Sequence, residues 1–452
     1  MKNRKMLKVM LILVMCVLFA ASAYAEVTTS YGAAFRLRQE TWDNMFDMNK
    51  LDVASAQTSP YSTPDINFWR LKTTPWFKVD VDKQYGFYAR LCNEARYYMS
   101  TDNAAFRKNG LNKDEIVIDN LYVSANGFLG LPLDLTIGRQ DFLNVFGEGF
   151  LIMDGTPGDG SRTFYFNAAK ATVKLNDRYN LDMVYLFTQE TDGALPSLYS
   201  SDERNHPASD KRVLNTSDED GVVVYGRGKV ADNLNVEPYY IYKKEDTADA
   251  LKIHTFGARA VYSFGEGWQT RGEYAHQSGE YDSGTDRTGD GGYAYIGRKF
   301  ADVAMQPSFD LGYVYLSGDD PHTTKDEKWD PLFSRVPWMS ELYSLSYAKE
   351  TKIAGYWTNL SAIRAQFKFV PAADTGLELT YNYLLAPENV TGPIFSTSGN
   401  KRGDLIQAKL SHTFSKTLSG YVILEDFVPG DFYKSTNQDN AMFIRWELLW
   451  KI

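Results

Sequence analysis

Basic side chains recur at even spacing along many short stretches of the chain. Arg36 and Arg38, Arg70 and Lys72, Arg90 and Arg96, Arg259, and Arg364 each sit among apolar residues at alternate positions. On a strand, successive side chains point to opposite faces, so this spacing gathers the cations on one face. A wall of guanidinium and ammonium groups attracts anions and can pass them from one to the next. It also concentrates the oppositely charged ion when the wall has a low dielectric. Glu40, Glu94, Glu237, Glu378 and Glu447 share these faces, but basic residues outnumber them. Two roles follow for the excess: bracing a wide wall by ion pairing, or lining an anion path. The two are compatible if cations remain after pairing.

Other reactive groups are sparse. The five histidines show no metal-ligand spacing, and there is no G-x-S-x-G or Gly-rich phosphate loop. His322 beside Asp319 and Asp320 is the one candidate for acid–base work, and a solvated loop histidine explains it as well. Asp282, Asp286 and Asp290 recur every four residues in a Gly-rich stretch read as an external loop. They lack the loop pattern of a helix-loop-helix calcium site. No catalytic residue, metal or cofactor is expected. The acidic balance, 57 Asp+Glu against 48 Lys+Arg, argues against nucleic acid as a partner.

The elements that must position these cations are strands. Residues 1–25 read as a cleaved leader: Lys2, Arg4, Lys5 and Lys8, an apolar run from Val9 to Ala21, then Ala23-Tyr24-Ala25. Beyond it only Cys92 remains, so no internal disulfide is expected. Residues 26–452 are read as one domain. They contain no apolar run of ~18 residues, the length of a spanning helix. They show instead period-2 stretches of about ten residues, the pattern of a membrane barrel. Long polar connections near 43–66, 101–114, 145–162, 191–220, 281–291, 318–358, 386–402 and 427–440 alternate with short turns. This predicts an all-β, antiparallel up-and-down transmembrane barrel of about 18 strands, or 16 if the poorly alternating segments between 116 and 190 and near 290–300 merge. The last stretch, Met442 to Ile452, alternates to the final residue. It suits closure on the first strand and recognition by the barrel-assembly machinery. The 318–358 connection is too long for an idle loop. Apolar residues at 338, 342, 345 and 348 predict a helix in it, read as a surface lid or lipopolysaccharide contact rather than a segment inside the pore.

Several stretches resemble the bacterial alginate export family of outer-membrane porins. They are Phe35-Arg36-Leu37-Arg38-Gln39-Glu40, Gly138-Arg139-Gln140, the run from Asp154 to Phe164, Trp329-Asp330-Pro331-Leu332-Phe333 and Phe427-Val428-Pro429-Gly430-Asp431. The resemblance implies an 18-stranded barrel in the bacterial outer membrane, with an electropositive constriction passing a uronate polymer. It puts Arg139, Asp154 and Arg162 at or near that constriction. A turn whose carboxylates cap backbone amides explains Asp154 to Gly160 equally well. The expected function is therefore an anion channel, with small anions or an anionic polysaccharide as cargo and lipopolysaccharide around it. The alternative is a structural barrel: a sheath around a partner such as an outer-membrane cytochrome, or an adhesin.

Overall fold

The computed structural model describes residues 26–45, 48–49, 65–101, 110–154, 165–199, 215, 217–335, 337–353 and 355–452. The expected leader, residues 1–25, lies outside them. Eighteen antiparallel strands close into one barrel. The first nine are β1 (Val27–Asp43), β2 (Ile66–Val81), β3 (Tyr85–Thr101), β4 (Gly110–Ala125), β5 (Leu133–Gln140), β6 (Phe166–Lys174), β7 (Tyr179–Thr188), β8 (Asp218–Ala231) and β9 (Leu234–Asp246). Then come β10 (Leu251–Phe264), β11 (Trp268–Tyr281), β12 (Asp286–Lys299), β13 (Ser308–Leu316), β14 (Leu360–Ala372), β15 (Thr375–Leu385), β16 (Lys401–Thr413), β17 (Leu418–Pro429) and β18 (Ala441–Lys451). Each pairs with its sequence neighbours, and β18 closes on β1. The poorly alternating segments are strands in their own right, which settles the count at 18 rather than 16.

Alternation decides what each face meets. Tyr31, Leu71, Phe256, Tyr274, Ile363, Phe367, Ile406 and Ile444 point outward and are exposed, an apolar wall suited to lipid. Closure gives every strand a neighbour on both sides, as a bilayer requires. The closing seam is also matched in charge. Arg38 lies opposite Glu447 and Glu40 opposite Arg445, and both cross-strand pairs form ion pairs inside the barrel. At one end the connections are tight. Between Val81 and Tyr85, Asp82 and Lys83 both take positive φ, the backbone of a type I′ turn closed by the Gln84 amide on the Val81 carbonyl at 3.0 Å.

At the other end the long connections lie, and among the described residues two long stretches of them turn back into the barrel. Residues 141–154 and 317–359 supply much of the main apolar cluster: Phe142, Phe146, Phe150, Ile152, Trp329, Phe333, Leu342, Tyr343 and Trp357. The expected helix is present as α1 (Glu341–Thr351), with Ser340 as its N-cap. It is not a surface lid. It packs inside on β17 and β18, where Glu425 accepts from Ser340 Oγ and from the Leu342 amide at 3.0 Å. Arg402 pairs with Glu350 near its other end at 2.7 Å. A bulge at Gly403, with φ 146°, breaks the register between β15 and β16 there, and Arg402 lies buried between the Tyr347 and Phe432 rings.

The connection expected over 281–291 is a four-residue turn, because β11 and β12 run on to Tyr281 and from Asp286. Its three aspartates are apart in role. Asp282 pairs with Lys252, Asp286 begins β12, and Asp290 faces outward against Tyr274 and His276.

Candidate functional site

The lumen has two differently finished sides. Along β8 to β12 the inward groups are packed and paired. Phe333 donates its amide to Ile152 at 3.0 Å, and Phe150 stacks on Trp338 at 3.7 Å, so the two inward segments are fastened to each other. They are fastened to the wall through glycines. A Cβ at Gly221 would come within 2.3 Å of the Phe333 ring, and one at Gly291 within 2.6 Å of Trp329. The buried ammonium of Lys243 meets Glu219 and Asp330 at 3.2 Å and Glu245 at 2.5 Å. Burial alone would raise the Asp330 carboxyl. Lys243, Arg287 and Arg335 outweigh it and hold that carboxyl well below the usual carboxylate range. Arg227 donates to the Val145 carbonyl, and Arg271 pairs with Glu148 of the inward segment.

The β1 to β4 wall is paired too. Arg36, Arg70 and Arg96 converge on Glu94 at 3.1, 2.9 and 2.8 Å. Arg70 also reaches Glu40, which Arg445 meets at 2.8 Å. Arg38 is on Glu447. Arg90 binds Asp119 at 2.9 Å, and a bulge in β4 turns Asp119 inward to meet it; Asp141 adds a second contact at 3.2 Å. Arg259 pairs with Glu237 at 3.1 Å. Lys72 is buried in the same row.

Arg364 and Lys409 differ. Both line a cavity of about 210 Å³ between β14, β16, β17 and the N-terminal end of α1. Among the described residues neither carries an ion pair, and one buried terminal nitrogen of Arg364 has no hydrogen-bond partner. Glu378 stands opposite Lys409 in register, but Lys368 takes it at 3.0 Å and Gln366 at 2.9 Å. The Lys409 ammonium lies instead over the Tyr421 ring, 4.6 Å from its centre. The other carboxylates of this cavity are engaged: Glu341 by Arg445 at 2.7 Å, and Glu425 by α1.

Of the remaining expected site residues, Arg162 lies outside the described residues. Asp154 ends the inward segment 141–154 and is buried beside Gly149. Arg139 is not in the lumen. Register places it opposite Leu121, on the face away from Asn120 and Tyr122, which pair with the lumen residues Arg90 and Tyr88. Strand β5 stops at Gln140 and leaves the upper edge of β4 uncovered. Arg139 fills that gap, donating to the Ile118 carbonyl at 2.9 Å and to both oxygens of Asp192 at 2.9 and 2.6 Å. Residues 197–199 then pair with β4, and Ala194 packs on Phe187 apart from the main core. Spacing could not reveal this, since the loop that covers the outer face is distant in sequence.

The alternation of the strands does not mark the loop carboxylates that also face the lumen cations, Asp141, Glu148, Asp330, Glu341 and Glu350. For Asp330 the signal is glycine at inward strand positions, Gly221 and Gly291, where the flanking Phe333 and Trp329 rings dock. At the other candidate constellation, Asp320 accepts from the His322 amide and Asp319 from the Glu327 amide. Both carboxylates therefore serve the backbone of the turn.

An 18-stranded closed antiparallel barrel with an apolar exterior and a charged, loop-filled lumen is a barrel of the outer-membrane porin type. Solved structures share the fold over nearly their full length. OpdQ of Pseudomonas aeruginosa superposes with a TM-score of 0.56 at 13% identity, covering 94% of this chain and 97% of that one. OpdL of the same organism gives 0.57 at 11%, covering 94% and 98%. OccAB1 of Acinetobacter baumannii gives 0.55 at 12%, covering 94% and 96%. The alginate export family matches residues 54–445, and the chain belongs to that family. No curated protein matches it.

Proposed function

We propose that the protein is an outer-membrane channel for small anionic solutes, with its long connections outside the cell. One observation carries this reading: the Arg364 and Lys409 cations form no ion pair in a cavity whose carboxylates, Glu341, Glu378 and Glu425, are held by other groups, while the arginines of the β1 to β4 wall are spent on ion pairs. Unneutralised cations on a low-dielectric wall draw anions and hold them weakly enough to release. Passage of an alginate-type polymer, which the family description suggests, would need both inward segments to leave the lumen. Their mutual hydrogen bond and the Phe150–Trp338 stack favour small cargo. A sheath around a partner protein fits less well, because the chain's own side chains pack the lumen. The C-terminal strand supplies the assembly signal, and lipopolysaccharide surrounds the outer rim.

The test is the reversal potential of the refolded protein in planar bilayers under a tenfold KCl gradient. The account expects a potential on the chloride side of zero. A potential at zero or on the potassium side overturns it.

A further inference from the structure

Arg364 and Lys409 enter one cavity from separated points on the wall. Arg364 on β14 stands level with Asn382 of β15, which faces Leu405 of β16; Lys409 is four residues further along β16. Two strand spacings and four strand rises put their backbones roughly 16 Å apart. Both long side chains nevertheless line the same volume of about 210 Å³. Their chemistry differs. The planar Arg364 guanidinium offers a fork for a carboxylate, and the Lys409 ammonium is a point charge. The three carboxylates around them are already engaged, by Lys368, Arg445 and the first amides of α1.

We infer that this cavity is a two-point subsite for a short aliphatic dicarboxylate. One carboxylate sits on Arg364, the other on Lys409, and the methylene bridge lies between them beside Trp338 and Ile423. The inference rests on the anion-channel reading and sharpens it. A monocarboxylate fills only one of the two points. A compact dianion carries the same charge but cannot span them.

The experiment measures block of chloride current through the full-length refolded protein by glutarate, valerate and sulfate at pH 7.5. Half-block by glutarate is expected at a concentration at least tenfold below that of either other anion. In R364Q or K409Q, glutarate should fall to within about twofold of valerate. Equal block by glutarate and sulfate overturns the two-point subsite, because charge alone then suffices. Unchanged glutarate block in both variants overturns it as well. Neither result touches the channel reading, which stands or falls on the reversal potential of the unmodified protein.

Discussion

The lumen wall along β8 to β12 and the wall along β14 to β17 are built from the same alternation of apolar and polar residues, yet their charges end differently. On the first, loop carboxylates return to meet the strand cations: Glu148 to Arg271, and Asp330 to Lys243. On the second, the returning helix brings Glu341, but Arg445 takes it, and Arg364 and Lys409 stay unneutralised. The charge of a pore is therefore set by where the long connections fold, as much as by the strands that line it. A basic strand face is braced where a loop acid reaches it and keeps its charge where none does.

The strongest way to break this comparison is at the packed side. Lys243 is wholly buried among three carboxylates, so K243M takes the shared cation from Glu219, Glu245 and Asp330 and leaves Glu219 to Arg335 and Asp330 to Arg287. Removing one partner of a buried network costs about 3–5 kcal/mol. The unfolding midpoint in guanidinium should drop accordingly. An unchanged midpoint would mean that this side is not held by its charges.

The seam offers the next effect. E447R sets two arginines opposite each other across β1 and β18, and adding R38E restores an opposite pair. Unfolding of the two single variants and the double variant should give a coupling of about 2 kcal/mol. Strict additivity would remove the seam pair from the account.

A smaller effect is expected where the two inward segments touch. F150A removes the ring stacked on Trp338, a contact worth about 1 kcal/mol beyond its buried area. Single-channel conductance should rise as the segments part. An unchanged conductance would place the narrowest point elsewhere.

Much of this was legible in the sequence, and the limits have physical causes. The strands, the tight turns and the seam follow from period 2 and local charge, which neighbouring residues carry. Even α1 was readable from the spacing of Trp338, Leu342, Leu345 and Ala348. What could not be read was the direction in which a long connection folds. That depends on distant partners, such as Phe333 finding Gly221, or Asp192 finding Arg139 on the outer face. Counting strand charges therefore made the whole lumen basic, whereas loop acids meet Arg271 and Lys243 and, among the described residues, leave Lys409 and Arg364 without an ion pair.

The most direct test compares two double variants of the refolded channel by reversal potential in a KCl gradient. One is R364Q/K409Q, which removes the two unpaired cations of the cavity beside α1. The other is R36Q/R96Q, which removes as much charge from the paired β1 to β3 wall. The account predicts that the first abolishes chloride preference and that the second leaves it within about twofold of the unmodified protein. Loss of preference in R36Q/R96Q with its retention in R364Q/K409Q would contradict it.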